Sequence, residues 1–186
     1  MKVGITLQNG AGDFVTGIYD VNTLDTLLMF TNKGNYICVP VHKIPENRWK
    51  EEGVHLNTFA TLDANDKIIK CICVSEFRND LYLAILTKFG QIKRMSVSMI
   101  ESAKRSRPVR YMKLLNGDEV TGIQILTGNS DLLVLTSNGN TSFFNESELT
   151  VLSSKAAGVK AISNLGKNYL VSLIAFDRDE KSKVAL

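Results

Sequence analysis

A chain of 186 residues that is 44% hydrophobic, with 22 Lys and Arg against 19 Asp and Glu and a formal net charge of +3, can bury a sizeable core. No apolar run approaches the roughly 18 residues of a membrane span, and the opening MKVGITLQNG lacks the apolar core of a secretory signal, so a cytoplasmic protein with no membrane contact is expected. Cys38, Cys71 and Cys73 are odd in number and lack CxxC spacing, which gives no support to a disulfide framework or a zinc site.

Taken in order, the chain repeats itself. DTLLMFTNKGNYICV (25–39), LYLAILTKFGQIKRM (81–95) and SDLLVLTSNGNTSFF (130–144) each run apolar residues into Thr-x-x-Gly and then into a second strand-like run. The anchor glycines Gly34, Gly90 and Gly139 stand 56 and then 49 residues apart by subtraction, a period of propeller blades rather than of helical repeats. Each anchor reads as a hairpin tip whose glycine takes positive φ. A turn residue and strand follow at Gly53-Val54, Pro108-Val109 and Gly158-Val159, and then a further strand at DKIIKCICV (from Asp66), DEVTGIQIL (from Asp118) and NYLVSLIAF (from Asn168). DFVTGIYDV from Asp13 reads as that same last element.

These matches divide the chain into approximate repeats 13–65, 66–117 and 118–167, with the start of another over 168–186. The fold class is all-β: four-stranded antiparallel blades in a propeller-like arrangement, a fragment of about three to four blades in a longer array. Helix is confined to a turn or two near His42 to Lys50 and Val97 to Lys104.

No catalytic constellation is visible. His42 and His55 belong to no metal or nucleophile pattern, Asp63 to Asp66 reads as a turn, and no glycine-rich phosphate cradle follows a strand. What stands out is charge. Thr87 to Lys113 carries Lys88, Lys93, Arg94, Lys104, Arg105, Arg107, Arg110 and Lys113 against the single acid Glu101. A nearly neutral chain that gathers cations in one segment suits a polyanion, and duplex nucleic acid is the leading one. The alternatives are a solvated face and a propeller surface that docks an acidic protein.

The loops before the Gly-Val or Pro-Val steps, NRWKEEG (47–53), SAKRSRP (102–108) and LSSKAAG (152–158), share one repeat register and would form a track on successive blades. Lys104, Arg105 and Arg107 dominate it, supported by Lys93, Arg94, Arg110 and Lys113 and extended by Arg48, Lys50, Lys155 and Lys160. Trp49 is expected to pack on its blade rather than stack on a base.

TKFGQIKR, RPVRYMKL, SKAAGVKAI and HKIPENRWKEEGVHL resemble the C-terminal domain of the bacterial topoisomerase IV A subunit (ParC) of Gram-positive type, with the gyrase A tail a close second; the resemblance spans about Asp13 to Phe176. It implies a β-pinwheel, in which neighbouring blades exchange strands and a basic outer rim binds and bends double-stranded DNA without reading its sequence. None of the three loops matches the QRRGGKG box of the gyrase tail. The resemblance also implies that strand cleavage, ATP and Mg2+ use, and contacts with a second A subunit or with the topoisomerase IV B subunit belong to other domains, leaving this fragment no cofactor and no enzymatic activity of its own.

Overall fold

The computed structural model describes residues 15, 17–48, 51, 53–100 and 107–177. Each Thr-x-x-Gly anchor is a hairpin tip. β1 (Thr26–Thr31) turns into β2 (Asn35–Pro40), and β3 (Ile68–Val74) returns along β1. The second hairpin, β4 (Tyr82–Thr87) and β5 (Gln91–Ser96), is followed by β6 (Val109–Arg110) and β7 (Val120–Leu126), and the third, β8 (Ser130–Thr136) and β9 (Thr141–Asn145), by β10 (Val159–Lys160) and β11 (Leu170–Asp177). At the first tip the Thr31 hydroxyl accepts hydrogen bonds from the backbone amides of Lys33 and Asn35, both at 3.3 Å, and Gly34 takes φ +75°, which explains why both residue types recur in the three copies of the repeat.

The sheets are ordered β3-β1-β2-β6, β10-β5-β4-β7 and β11-β8-β9. Blade 1 is therefore completed by β6, which follows β5 in sequence but pairs with β2 (Asn35 with Arg110, Tyr36 with Val109). Blade 2 is completed by β10 in the same way, Val159 pairing with Ile92 and Lys160 with Gln91. This is the all-β pinwheel with exchanged strands that the resemblance implied. The sheets are offset from the sequence repeats, because β3, β7 and β11 each open a sequence repeat yet close the sheet of the hairpin before or beside them.

That rule also explains a correction. The segment from Asp13 was expected to be a strand like these; residues 13, 14 and 16 lie outside the described residues, and of the rest Gly17 to Asp20 are irregular. They have no earlier hairpin among the described residues to return along. Val54, the register equivalent of Val109 and Val159, is likewise outside any strand. Short 3-10 turns follow the second hairpin strand of every repeat, at Val41–Lys43, Val97–Met99 and Glu146–Glu148, with another at Leu56–Thr58 capped by the His55 ring. The small helical content and the two sites near His42 and Val97 agree with the sequence reading.

Strand alternation in blade 2 sends residues to two different cores, because that blade is stacked on both faces. Leu28 and Phe30 of β1 pack with Leu83 and Ile85 of β4 between blades 1 and 2, whereas Ala84 and Leu86 of β4 pack with Leu132 and Val134 of β8 between blades 2 and 3. The other face of β1, Leu27 and Met29, is covered by Ala60, Leu56 and Phe59. β7 approaches β11 closely: a Cβ built on Gly122 would lie 2.9 Å from that of Leu173, so this step of β7 accommodates only glycine.

Candidate nucleic-acid interface

The six described cations of Thr87 to Lys113 divide into two populations. Lys88, Lys93 and Arg94 lie on or beside the β4–β5 hairpin and are engaged by the fold. Lys88 pairs with Glu119 at 3.1 Å and stands 5.5 Å from the Tyr169 ring centre. Lys93 is 1% exposed, and its Nζ donates to the backbone carbonyls of Tyr111 (2.5 Å), Ser153 (3.1 Å) and Ala156 (3.3 Å). Burial pushes this ammonium down to about 8, while three acceptors favour its charged form. Arg94 lies 4.0 Å from the Tyr82 ring centre and pairs with Glu146, Nη2 to Oε2, at 2.9 Å.

Lys93 and Arg94 therefore depart from the expectation that they face solvent on the basic track. The reason is topological. In a sheet with one solvated face a Lys-Arg pair would leave at least one cation outside, but β5 is a central strand of a blade covered on both faces. Lys93 points toward the blade 1 side and Arg94 toward blade 3.

The second population is exposed. Arg107, Arg110, Lys113, Lys155 and Lys160 all face solvent, as does Arg48 in the first loop. Arg110 and Lys160 occupy the same register position of the two exchanged strands, and those strands are the outer edges of their sheets. Tyr111, the residue after Arg110, anchors its segment: it is fully buried, its hydroxyl donates to the Thr31 carbonyl at 2.8 Å, and its ring meets Phe30 edge-on at 5.2 Å. Its amide donates to the Gly34 carbonyl at 2.8 Å, as that of Ala161 donates to Gly90 at 2.8 Å in the next blade. A backbone bond to the anchor glycine's carbonyl thus fixes the residue after each of these two cations, with the buried Tyr111 ring added in the first.

The two exchanged segments also meet. The Lys113 amide donates to the Ala156 carbonyl at 3.2 Å, and Arg110 and Lys155 line one cleft floored by Met95, Met99 and Ile100. Arg110, Lys113 and Lys155 are therefore brought together, Lys160 follows on the edge of blade 2, and Arg48 stands in a loop that joins no sheet. Lys50, Lys104 and Arg105, together with Trp49, lie outside the described residues. In sequence, Lys50 and Arg105 hold the register position of Lys155, so that place in the loop is basic in all three repeats.

Sequence reasoning missed two residues that decide how this region is built, Glu146 and Tyr82. Glu146 is fully buried, and its Oε1 accepts from the amides of Gly128 (2.8 Å) and Ser130 (2.7 Å). A signal was present: Glu146 falls at the register of Val41 and Val97, so an acid stands where the other repeats bury valine.

Stacked antiparallel blades, the first two four-stranded and the third three-stranded among the described residues, each of the first two completed by an edge strand from the sequence that follows and carrying a cation on that edge, define a β-pinwheel of the propeller class. The family model described as DNA gyrase C-terminal domain, beta-propeller, matches residues 25–75, 81–127 and 130–177, and the chain belongs to that family. Among curated relatives it is 35% identical to the A subunit of DNA topoisomerase 4 from Bacillus subtilis (strain 168) over 83% of this chain and 19% of that protein, and 34% identical to the protein of the same name from Staphylococcus epidermidis over 86% of this chain and 20% of that protein. The chain thus spans about a fifth of these relatives. A crystal structure of the C-terminal domain of DNA topoisomerase IV superimposes with TM-score 0.84 at 32% identity, covering 92% of this chain and 53% of that one. The E. coli ParC C-terminal domain shares the fold at TM-score 0.78 and 18% identity, covering 94% and 71%. The resemblance to the tail of the topoisomerase IV A protein is thereby borne out, and the matched region is a C-terminal domain distinct from the catalytic one.

Proposed function

We propose that this chain is a sequence-nonspecific duplex-binding module that holds and bends DNA along the outer edges of its blades, as part of the A protein of a type IIA topoisomerase. The observation that carries this reading is the recurrence of an exposed cation, Arg110 and then Lys160, at one register position of successive exchanged strands, with Lys155 and Lys113 beside the first. Phosphate is recognised by such cations through charge alone, and no side chain among the described residues has the setting of a base reader. Bending 20–30 base pairs costs on the order of 1–6 kcal/mol, so contacts on several blades must act together. In the parent enzyme the bound segment is the one captured for transport, and topology is selected there. In this reading other domains engage ATP, Mg2+, the B subunit or the second A protein, in the bacterial cytoplasm.

The test is anisotropy binding of two unrelated duplexes of about 25 base pairs across a salt series. Equal affinities, with log K falling against log salt at a slope of about −3.6 for about four neutralised phosphates, support the reading. Affinity that depends on sequence, or no binding at low salt, counts against it and favours an acidic protein as the rim's partner.

A further inference from the structure

We infer that Lys93 is a positioning residue for the rim: its buried ammonium pins the Ser153–Ala156 turn of one repeat to the Tyr111 carbonyl of the repeat before, and so sets Lys155 beside Arg110 as one continuous path. The inference rests on the duplex-binding reading for its consequence but on geometry for its structural half.

Three carbonyls from two chain segments converge on one Nζ, at 2.5, 3.1 and 3.3 Å, and three donors are what an ammonium supplies. Tyr111 follows Arg110 directly, and Lys155 lies between Ser153 and Ala156, so the staple ties together the neighbours of two exposed cations. The turn it holds has few other ties. Leu152 donates to the Arg94 carbonyl at 2.8 Å, Ala156 accepts from the Lys113 amide, and Ser153 and Ala156 close on each other at 3.1 Å. The charged side chains on the elements around Nζ are Arg94 on β5, Arg107, Arg110 and Lys113 on the segment of β6, and Lys155 and Lys160 on the segment of β10. All are cations, and among the described residues no carboxylate hydrogen-bonds Nζ. Five exposed cations on two adjoining segments repel one another, and a buried carbonyl clamp holds the two together without neutralising the charge that a duplex meets.

The experiment uses the whole chain and a double-mutant cycle between Lys93→Met and Lys155→Ala. In the wild type, Lys155→Ala lowers affinity for a duplex of about 25 base pairs about tenfold at about 50 mM salt, the counterion-release value of one phosphate contact. In the Lys93→Met background the same change is expected to cost less than about twofold, because Lys155 is no longer held on the path. An equal cost in both backgrounds overturns the inference, since a role confined to stability leaves the cycle additive. Limited trypsin digestion is read in parallel: cleavage after Lys155 is slow in the wild type and early in Lys93→Met, and unchanged cleavage also overturns the inference. This arm holds even if the wild type binds no DNA, a result that refutes the functional reading alone. If Lys93→Met does not fold, the wild type taken from about pH 7 to about pH 9.5 replaces it. Neutralising Lys93, which burial makes easier to deprotonate than exposed lysines, is expected to accelerate cleavage after Lys155 relative to cleavage after exposed lysines elsewhere in the chain as pH rises; a flat ratio counts against the staple.

Discussion

Replacing Arg94 by methionine is the sharpest perturbation of the contact between blades 2 and 3. The Glu146 side chain is fully buried and that of Arg94 is 13% exposed, so the pair is out of water on one side and nearly so on the other. Their 2.9 Å approach is an electrostatic contact off the hydrogen-bonding direction, since neither Glu146 Oε2 nor Arg94 Nε makes an aligned bond while the guanidinium lies over Tyr82. Arg94→Met leaves a buried carboxylate with only the amides of Gly128 and Ser130 to stabilise it, a loss of about 3–5 kcal/mol including the ring contact. Glu146→Gln keeps an oxygen for both amides and costs about 1–3 kcal/mol. The double variant has no stranded charge, and its loss is expected to stay close to that of Glu146→Gln alone, so the coupling equals the cost of Arg94→Met, about 3–5 kcal/mol. Urea unfolding of the four proteins with shared m-values measures it. Additivity within about 0.5 kcal/mol would refute the argument that burial of the carboxylate, rather than packing of the arginine stem, sets the cost.

Gly158→Ala tests the strand exchange: at φ +94° an added Cβ would stand 2.5 Å from the Ile92 carbonyl oxygen, so β10 must leave β5, at a cost of about 1–3 kcal/mol. Melting temperature and amide exchange at Ile92 and Val159, a directly opposed pair of β5 and β10, read the effect, and unchanged protection there contradicts the pairing. Hydrogen bonds from Lys88 and then Asn32 hold the Glu119 carboxyl below the usual range. A depressed folded value adds stability above the unfolded pKa that is lost as pH falls through the folded one. Glu119→Gln should therefore lie below the wild type in stability at about pH 7 and converge with it toward about pH 3, as followed by thermal melts; a constant gap would show that charge is not the cause.

The architecture was legible because Thr-x-x-Gly is a local device: a threonine hydroxyl and a positive-φ glycine close the tip whatever surrounds them, so their 56- and 49-residue spacing announced the blades. The strand from Asp13 failed for the converse reason, since β3, β7 and β11 depend on a hairpin elsewhere in the chain. The site was legible in part. Arg110 and Lys160 follow a turn residue and a valine, a pattern that sequence shows. Whether Lys93 and Arg94 face solvent depends on both faces of β5 being covered, which is a property of neighbouring blades and leaves no mark on QIKRMS itself. Glu146 could have been found by aligning the repeats and asking why an acid replaces Val41 and Val97.

The central claim is that position, not total charge, makes the rim a duplex track. The most direct measurement compares the salt dependence of duplex affinity for Arg110→Ala/Lys155→Ala/Lys160→Ala with that of Lys43→Ala/Lys67→Ala/Arg78→Ala, whose three residues are also exposed but lie off the exchanged strands. Both variants lower the net charge by the same amount. The account predicts that the rim variant flattens the log–log slope by about 2.7 units while the second keeps nearly the wild-type slope. Equal changes in the two would contradict it.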